Sequence, residues 1–228
     1  MPIIIRCDGR AFSTLTSRCA KPYDGDFVSV MNYAAIALCK QAQGVACAYV
    51  QSDEISLLLI PYKKFNSQPW FGGEVEKIVS VSAAVATAAF IDLAIEYGVA
   101  GESWFPFGKV AFDSRVFVVP REDVANVFVD RQQDGRRNAI LGLAQVRYGK
   151  KQIHGMPCTE LREKLAGEEL LENQAYMNGR MVVRETHEGD SRPMWHVIPA
   201  PDFKQRYDFF ADSVWPINEE MTEEIAND

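Results

Sequence analysis

At 228 residues, with 47% hydrophobic and 24% charged residues, the chain can bury one sizeable core with or without an extension, and its profile is that of an ordinary globular protein rather than a disordered or fibrous one. The formal net charge of −7 argues against a generic nucleic-acid binder, but five of the acids (Glu219, Glu220, Glu223, Glu224 and Asp228) crowd the last ten residues, which leaves room for a local basic patch elsewhere. Five cysteines without Cys-x-x-Cys spacing argue against a disulfide framework or structural zinc, and the absence of a basic-then-apolar leader or a bilayer-length apolar run predicts a cytoplasmic protein with no membrane contact; the small-residue stretch from Ile78 to Ile91 is too short to span.

The first element is a strand from Ile3 that ends on Asp8-Gly9. Such an ending fits a plain turn, because both residues tolerate turn geometry, and it equally fits a carboxylate presented at a strand end. Arg10 to Asp24, rich in Ser and Thr, reads as a long connection over the sheet edge whose backbone amides are placed to cradle phosphates. A helix is expected from about Asp26 to Gln43, with Gly44 as its stop.

Val45 to Ile60 is the centre of the pattern. Two apolar runs flank the polar tetrad Gln51-Ser52-Asp53-Glu54, as in a buried β-hairpin with its tip exposed at the sheet edge. If the hairpin lies beside the first strand, Asp8 and Asp53 meet, and two carboxylates so close call for a proton or a divalent cation between them. A loop with Lys63 and Lys64 follows, then a helix from about Glu74 to Tyr97 stopped by Gly98, and a strand from Val110 to Val119 that carries Asp113 and Arg115 before Pro120 closes it.

A further helix spans about Arg121 to Val146. Its Asp130 to Asn138 segment, dense in hydrogen-bonding side chains, fits a solvated face as well as a binding one, and Arg131 and Asn138, seven apart, share a face. A basic loop with Lys150 and Lys151, a short helix from Thr159 to Ala166, a strand from Arg180 to Glu185, Pro-rich loops and the acidic tail complete the chain; His187 and His196 read as structural or surface residues. The fold class is therefore α+β: the order β-α-β-β-α-β is a ferredoxin-like unit, an antiparallel sheet backed by helices as in polymerase palm domains, over residues 1–146, with a helical and loop extension over 147–228 packed on it. Such a sheet is expected to leave one face and edge free for metal and nucleotide.

Several of these segments together resemble the tRNA-histidine guanylyltransferase family, whose members add nucleotides in the 3′-to-5′ direction: Ile5-Arg6-Cys7-Asp8-Gly9-Arg10-Ala11-Phe12, Ala20-Lys21-Pro22, Gln51-Ser52-Asp53-Glu54, Phe112-Asp113-Ser114-Arg115-Val116 and Arg131-Gln132-x-Asp134. Val79 to Ala83, Arg131 to Asn138 and Gln152-Ile153-His154-Gly155 look like its bacterial-type branch of guanylyltransferase-like proteins. The resemblance implies that Asp8, Asp53 and the Gly9 carbonyl bind two Mg²⁺ ions, with Glu54 as an acid beside them. It implies that the backbone of Gly9, Arg10, Ala11, Phe12 and Ser13, with Lys21, Ser52 and Asn138, holds the triphosphate of the incoming nucleotide, and it makes Lys77, Arg115 and Arg131 candidates for nucleotide or tRNA contacts.

The implied partners are tRNA, ATP and GTP as substrates, and further copies of the chain in a dimer or tetramer. Where the histidine-specific enzymes carry His-Ile-Asn-Asn, this chain has Arg136-Arg137-Asn138-Ala139, and where they carry a basic pair it has Gly72-Gly73-Glu74. These departures favour the branch that repairs 5′-truncated tRNA on a template strand over a histidine tRNA guanylyltransferase. From the residues alone, a nucleotide cyclase or other small-molecule nucleotidyltransferase on the same palm and a non-catalytic tRNA or nucleotide binder remain open, although a binder has no need of both carboxylates.

Overall fold

The computed structural model describes residues 1–62, 66–97, 109–186 and 192–214; Lys63, Lys64, Gly98, His187 and the acidic tail lie outside them. The strands are β1 (Ile3–Gly9), β2 (Val45–Gln51), β3 (Glu54–Leu59), β4 (Phe112–Val118), β5 (Arg180–Glu185) and β6 (Met194–Pro199). They form one antiparallel sheet in the order β4-β1-β3-β2-β5-β6. The first four, with α2 (Gly25–Gln41) and α3 (Val75–Glu96) crossing between them, are the expected ferredoxin-like palm unit.

Strand alternation sorts the side chains into two cores. Ile3, Ile5 and Cys7 of β1, Ala48 and Val50 of β2 and Ile55, Leu57 and Leu59 of β3 face α2 and α3, where they meet Val30, Met31, Leu38, Ile78, Ala86 and Phe90. Helix α3 is long and apolar enough, by length and composition, to cross a membrane; here Ile78, Ala86, Phe90, Leu93 and Ala94 bury one side of it against the rest of the fold. Helix α2 begins where Asp24 caps it, one carboxylate oxygen accepting from the Phe27 amide at 2.9 Å and the other from the Ala20 amide at 2.7 Å.

The opposite face is not free, which corrects the expectation. Helix α4 (Val124–Tyr148) lays Val124, Ala125 and Phe128 over Ile4, Tyr49, Leu58 and Met181, and Phe203 and Phe210 from the C-terminal segment close the same core, Phe210 stacking on Phe128 at 4.5 Å. Sequence periodicity located α4 but carried no information about which surface it covers. The connection after β1 also holds more structure than expected: α1 (Phe12–Leu15) and a single 3₁₀ turn (Thr16–Arg18).

The C-terminal segment supplies α5 (Cys158–Lys164), α6 (Glu169–Glu172), α7 (Gln174–Asn178) and α8 (Ala211–Val214), and in addition returns the β5–β6 hairpin to the sheet beside β2. Strand β6 lies where Pro-rich loops were expected. Only six residues long and bounded by prolines, it has a weak alternation pattern, and its pairing with β5 supplies what local propensity does not. Gln132 of α4, 1% exposed, ties this segment down: its amide nitrogen donates to the carbonyls of Asn178 (3.0 Å) and Pro201 (2.8 Å), and its oxygen accepts from the Phe203 amide (3.0 Å).

Gly179, between α7 and β5, has φ +80 and presses on Tyr49, whose ring would lie 2.7 Å from any added Cβ. Gly179→Ala is therefore expected to destabilise the protein by roughly 3 kcal/mol through combined backbone strain and overpacking. Urea titration checks this; an unchanged midpoint at unchanged slope contradicts it.

Candidate active site

The α4-facing file of side chains changes character along each strand. It runs Ile4, Arg6, Asp8 on β1 and Leu58, Ser56, Glu54 on β3, so apolar packing gives way to charge at one end of the sheet. Asp8 stands opposite Glu54 on one side and Asp113 of β4 on the other, and the Gly9 amide donates to the Asp53 carbonyl at 3.0 Å. The β2–β3 hairpin turns on Ser52 and Asp53 alone, with Ser52 at φ +52. Strand register thus brings Asp8 and Asp53 to the same edge.

These acids are not equivalent. Glu54 is gripped end-on by Arg131 of α4, with Nε donating to one carboxylate oxygen at 2.9 Å and Nη2 to the other at 2.7 Å, while Ser56 Oγ donates at 3.2 Å and Arg6 stands 3.4 Å away. Arg131 also holds Asp134 at 2.7 Å, and Asp113 pairs with Arg115 at 3.6 Å near the surface. Among the described residues Asp8 and Asp53 have no such cation. Burial, then the charges of Asp53, Asp113 and Glu54, push the Asp8 carboxyl up to about 6, and burial raises that of Asp53.

Two carboxylates held in the charged-averse range with no cation beside them suit a hard divalent ion. No group of three His, Cys, Asp or Glu side chains closes on one point among the described residues, because Glu54 is turned to Arg131. An ion held by Asp8, Asp53 and the Gly9 carbonyl would complete its shell with water and phosphate oxygens, which is the usual mode of Mg²⁺. The residues present fit that ion.

The carboxylates open into a cleft of about 290 Å³ at the hairpin tip. One wall is the segment from Thr16 to Val28, and the other is α4 from Arg131 to Gly142 with Tyr176 and Arg180. Helix α4 approaches the tip closely because Gly135 carries no side chain; a Cβ there would lie 2.5 Å from the Gln51 side chain. A cleft with acids at one end, basic and hydroxyl groups on its rim and aromatic walls has the make-up of a nucleotide site.

The protein-family model for tRNAHis guanylyltransferase matches residues 1–120, more than half of the chain. The chain belongs to the tRNAHis guanylyltransferase family. It is 32% identical to a bacterial tRNA(His) guanylyltransferase-like protein whose structure was solved in complex with ATP (TM-score 0.83, covering 94% of this chain and 91% of that one), and 31% identical in the matching GTP complex (TM-score 0.82, 94% and 90%). The probable tRNA(His) guanylyltransferase of Dictyostelium discoideum is 34% identical over 141 residues, 60% of this chain; the chain spans about half, 52%, of that curated relative.

Within this family member, Asp8, Lys21, Ser52, Asp53, Glu54, Arg131 and Asn138 are brought together in the cleft. The segment Gly9 to Ser13 does not line it. Phe12 is buried among Phe27, Phe90 and Phe112, with ring centroids 5.0–6.3 Å apart, so only its backbone can serve a ligand; Ala11 adopts φ +57, and Arg10 and Ser13 are exposed beside it. Arg115 stays at the surface with Asp113, and the ammonium of Lys77, on α3, lies 5.2 Å from the ring of Phe71, which precedes that helix; neither lines the cleft.

The Asp130–Asn138 segment proves to be structural as well as cleft-forming. Arg136 is committed to Asn178 Oδ1 (2.6 and 2.9 Å) and Asp202 (3.0 Å), and Arg137 pairs with Asp134. Sequence reasoning missed Tyr23, Tyr176 and Arg180. For Arg180 a signal existed: a charge directly before the apolar run Met181-Val182-Val183, where a core strand would begin apolar.

Proposed function

We propose that the protein is a metal-dependent nucleotidyltransferase that extends tRNA at its 5′ end in the 3′-to-5′ direction, repairing 5′-truncated tRNA on the opposite strand as template. The observation that carries this is the convergence of Asp8 and Asp53 in one cleft with Lys21, Ser52 and Asn138. Family membership and the ATP- and GTP-bound bacterial relative support it.

In the first step the tRNA 5′-phosphate attacks the α-phosphorus of ATP or GTP, releasing pyrophosphate and leaving a nucleotidylated 5′ end. In the second the 3′-hydroxyl of the incoming nucleotide attacks that 5′-phosphorus and expels the nucleoside monophosphate. Two Mg²⁺ ions, when bound, supply charge neutralisation and alignment of the attacking and leaving oxygens. Asp8 and Asp53 hold them, Lys21 and Ser52 bind triphosphate oxygens and Asn138 orients the substrate from α4. Glu54, held in place by Arg131, stands behind the pair.

Template control follows from what the chain lacks. Arg136 is tied to Asn178 and Asp202, and Gly72-Gly73 stands in place of a basic pair, so among the described residues neither departure supplies a free cation to read a particular tRNA; phosphate contacts carry no sequence information, so the base opposite decides. Several tRNAs lacking their first 5′ nucleotide should be extended, each with the Watson-Crick complement of the opposing base. Labelled truncated tRNAs with the opposing base varied decide it; guanosine added only to histidine tRNA, whatever the template, would favour the histidine guanylyltransferase reading. Activity should require Mg²⁺ or Mn²⁺ and vanish with chelator, and chelator-resistant extension would remove the metal from the mechanism.

The protein acts as a homo-oligomer in the cytoplasm. Val75 and Ile95 of α3 and Tyr97 at its C-terminal end are exposed, and the groove between α2 and α3 is lined by Val81, Ala84, Val85 and Ala88. A helix apolar on both sides is usually covered on both. Five free cysteines accord with a reducing compartment. Ala88→Glu should yield a smaller species by light scattering, and an unchanged mass would place the contact elsewhere.

A further inference from the structure

Arg180, the first residue of β5, is 6% exposed, and its side chain lies on the α2 side of the sheet, where Nε donates to Asn32 Oδ1 at 2.8 Å. That bond fixes the guanidinium plane. Its Nη2 is fully buried with no hydrogen-bond partner among the described residues, and no carboxylate pairs with it there. A buried N–H of a cation without an acceptor bears its full desolvation cost, so the site is built for an acceptor that arrives with a ligand.

Arg180 lines the same cleft as the metal-binding pair. Asp8 pairs with Glu54, Glu54 with Gln51, and Val50 next to it with Arg180, so the two residues stand at nearly one level of the sheet, three strands apart. Three inter-strand spacings put them roughly 14 Å apart, the scale of an extended nucleoside triphosphate. Tyr23 lies near Arg180, and Val28 and Tyr176 line the same cleft, with the two tyrosine rings edge to face at 5.9 Å. Apolar and aromatic walls suit a flat heterocycle and not a phosphate.

We infer that Arg180 reads the base of the activating nucleotide in this cleft, donating through Nη2 to O6 on the O6 and N7 edge of a 6-oxopurine, and that the cleft therefore prefers guanine to adenine in the activation step while the template chooses the nucleotide added. The inference rests on the nucleotide reading above, which sends the triphosphate to the Asp8 and Asp53 end and leaves the base for the other. Guanine and hypoxanthine offer two acceptors on that edge, whereas adenine offers one acceptor and an amino group whose hydrogens would face the guanidinium donors. The Tyr23 and Tyr176 rings supply sequence-tolerant contact, and Arg180 supplies the discrimination.

The test is binding of GTP, inosine triphosphate and ATP to the full chain with Mg²⁺ and no tRNA, by calorimetry, for wild type and Arg180→Met. Wild type should bind GTP and inosine triphosphate alike, and each about tenfold or more tighter than ATP, the size expected of one hydrogen bond from a charged donor. In Arg180→Met both should fall to the level of ATP. Equal affinities for all three in wild type overturn the inference without any variant, so a failure of Arg180→Met to fold leaves it decidable. Uniform weakening of all three by the substitution also overturns it, since that is the mark of a phosphate contact. Binding of none of them to wild type would instead defeat the nucleotide reading.

Discussion

Asp8→Asn and Asp53→Asn are each expected to lower nucleotide addition by about a thousandfold or more, the several kcal/mol that a metal ligand contributes to a phosphoryl-transfer transition state, while the protein stays folded. In chelator both should melt at a higher temperature than wild type at pH 7. The reason is electrostatic: burial and the charges of Asp53, Asp113 and Glu54 hold the Asp8 carboxyl up at about 6, above the ordinary value of 3.8, so the folded state binds the proton more tightly than the unfolded one. Stability linked to that proton is fully present below the unfolded value and is lost as pH rises through about 6. Ion-free wild type should therefore be more stable at pH 5 than at pH 7, with the difference reduced in Asp8→Asn. Added Mg²⁺ should raise the melting temperature of wild type at pH 7 and not that of the variants. Thermal melts over pH and Mg²⁺ concentration decide it; a wild type indifferent to Mg²⁺, or variants with wild-type extension rates, would remove Asp8 and Asp53 from the metal site.

The parts of this site legible in sequence were those set by local chemistry and strand register. The Gln51-Ser52-Asp53-Glu54 tip announces itself because two apolar runs of strand length leave only one place for a turn, and the Asp8-Gly9 pair after the apolar run Ile3-Ile4-Ile5 marks the end of β1. Once β1 and β3 are neighbours, alternation alone puts Asp8 and Glu54 on one face. What periodicity does not encode is which distant side chain reaches in. Arg131 and Gln132 are adjacent and both polar, yet one holds Glu54 and the other, buried, fastens the chain from Asn178 to Phe203, and only the packing of α4 on the sheet distinguishes them. Arg180 was hidden likewise: a strand start is visible in sequence, but the isolation of one of its nitrogens depends on Asn32 and Tyr23, about 150 residues away in sequence, arriving beside it. Strand β6 was missed because its six residues are specified by β5 and not by themselves.

Arg131→Met is expected to be the most damaging change outside the metal pair. Arg131 makes two hydrogen bonds to Glu54 and one to Asp134, and its side chain and that of Glu54 are 27% and 15% exposed. Breaking a fully buried pair from one side costs about 3–5 kcal/mol; partial solvent access brings the figure here to roughly 2 kcal/mol. Function should suffer more than stability, because Glu54 then stands opposite Asp8 with only Arg6 near it, and the pair loses a cation that favours the charged form of Asp8. The Asp8 carboxyl should rise further, moving the acid limb of the extension rate to higher pH. Glu54→Gln removes the stranded charge, so in Arg131→Met/Glu54→Gln the two stability losses should be clearly less than additive and the acid limb should move back towards wild type. Urea titrations of the four proteins and their pH-rate profiles measure both effects. Strict additivity, or an acid limb that stays where it was in Arg131→Met, would mean that Arg131 acts on α4 alone and has no part in setting the charge of the site.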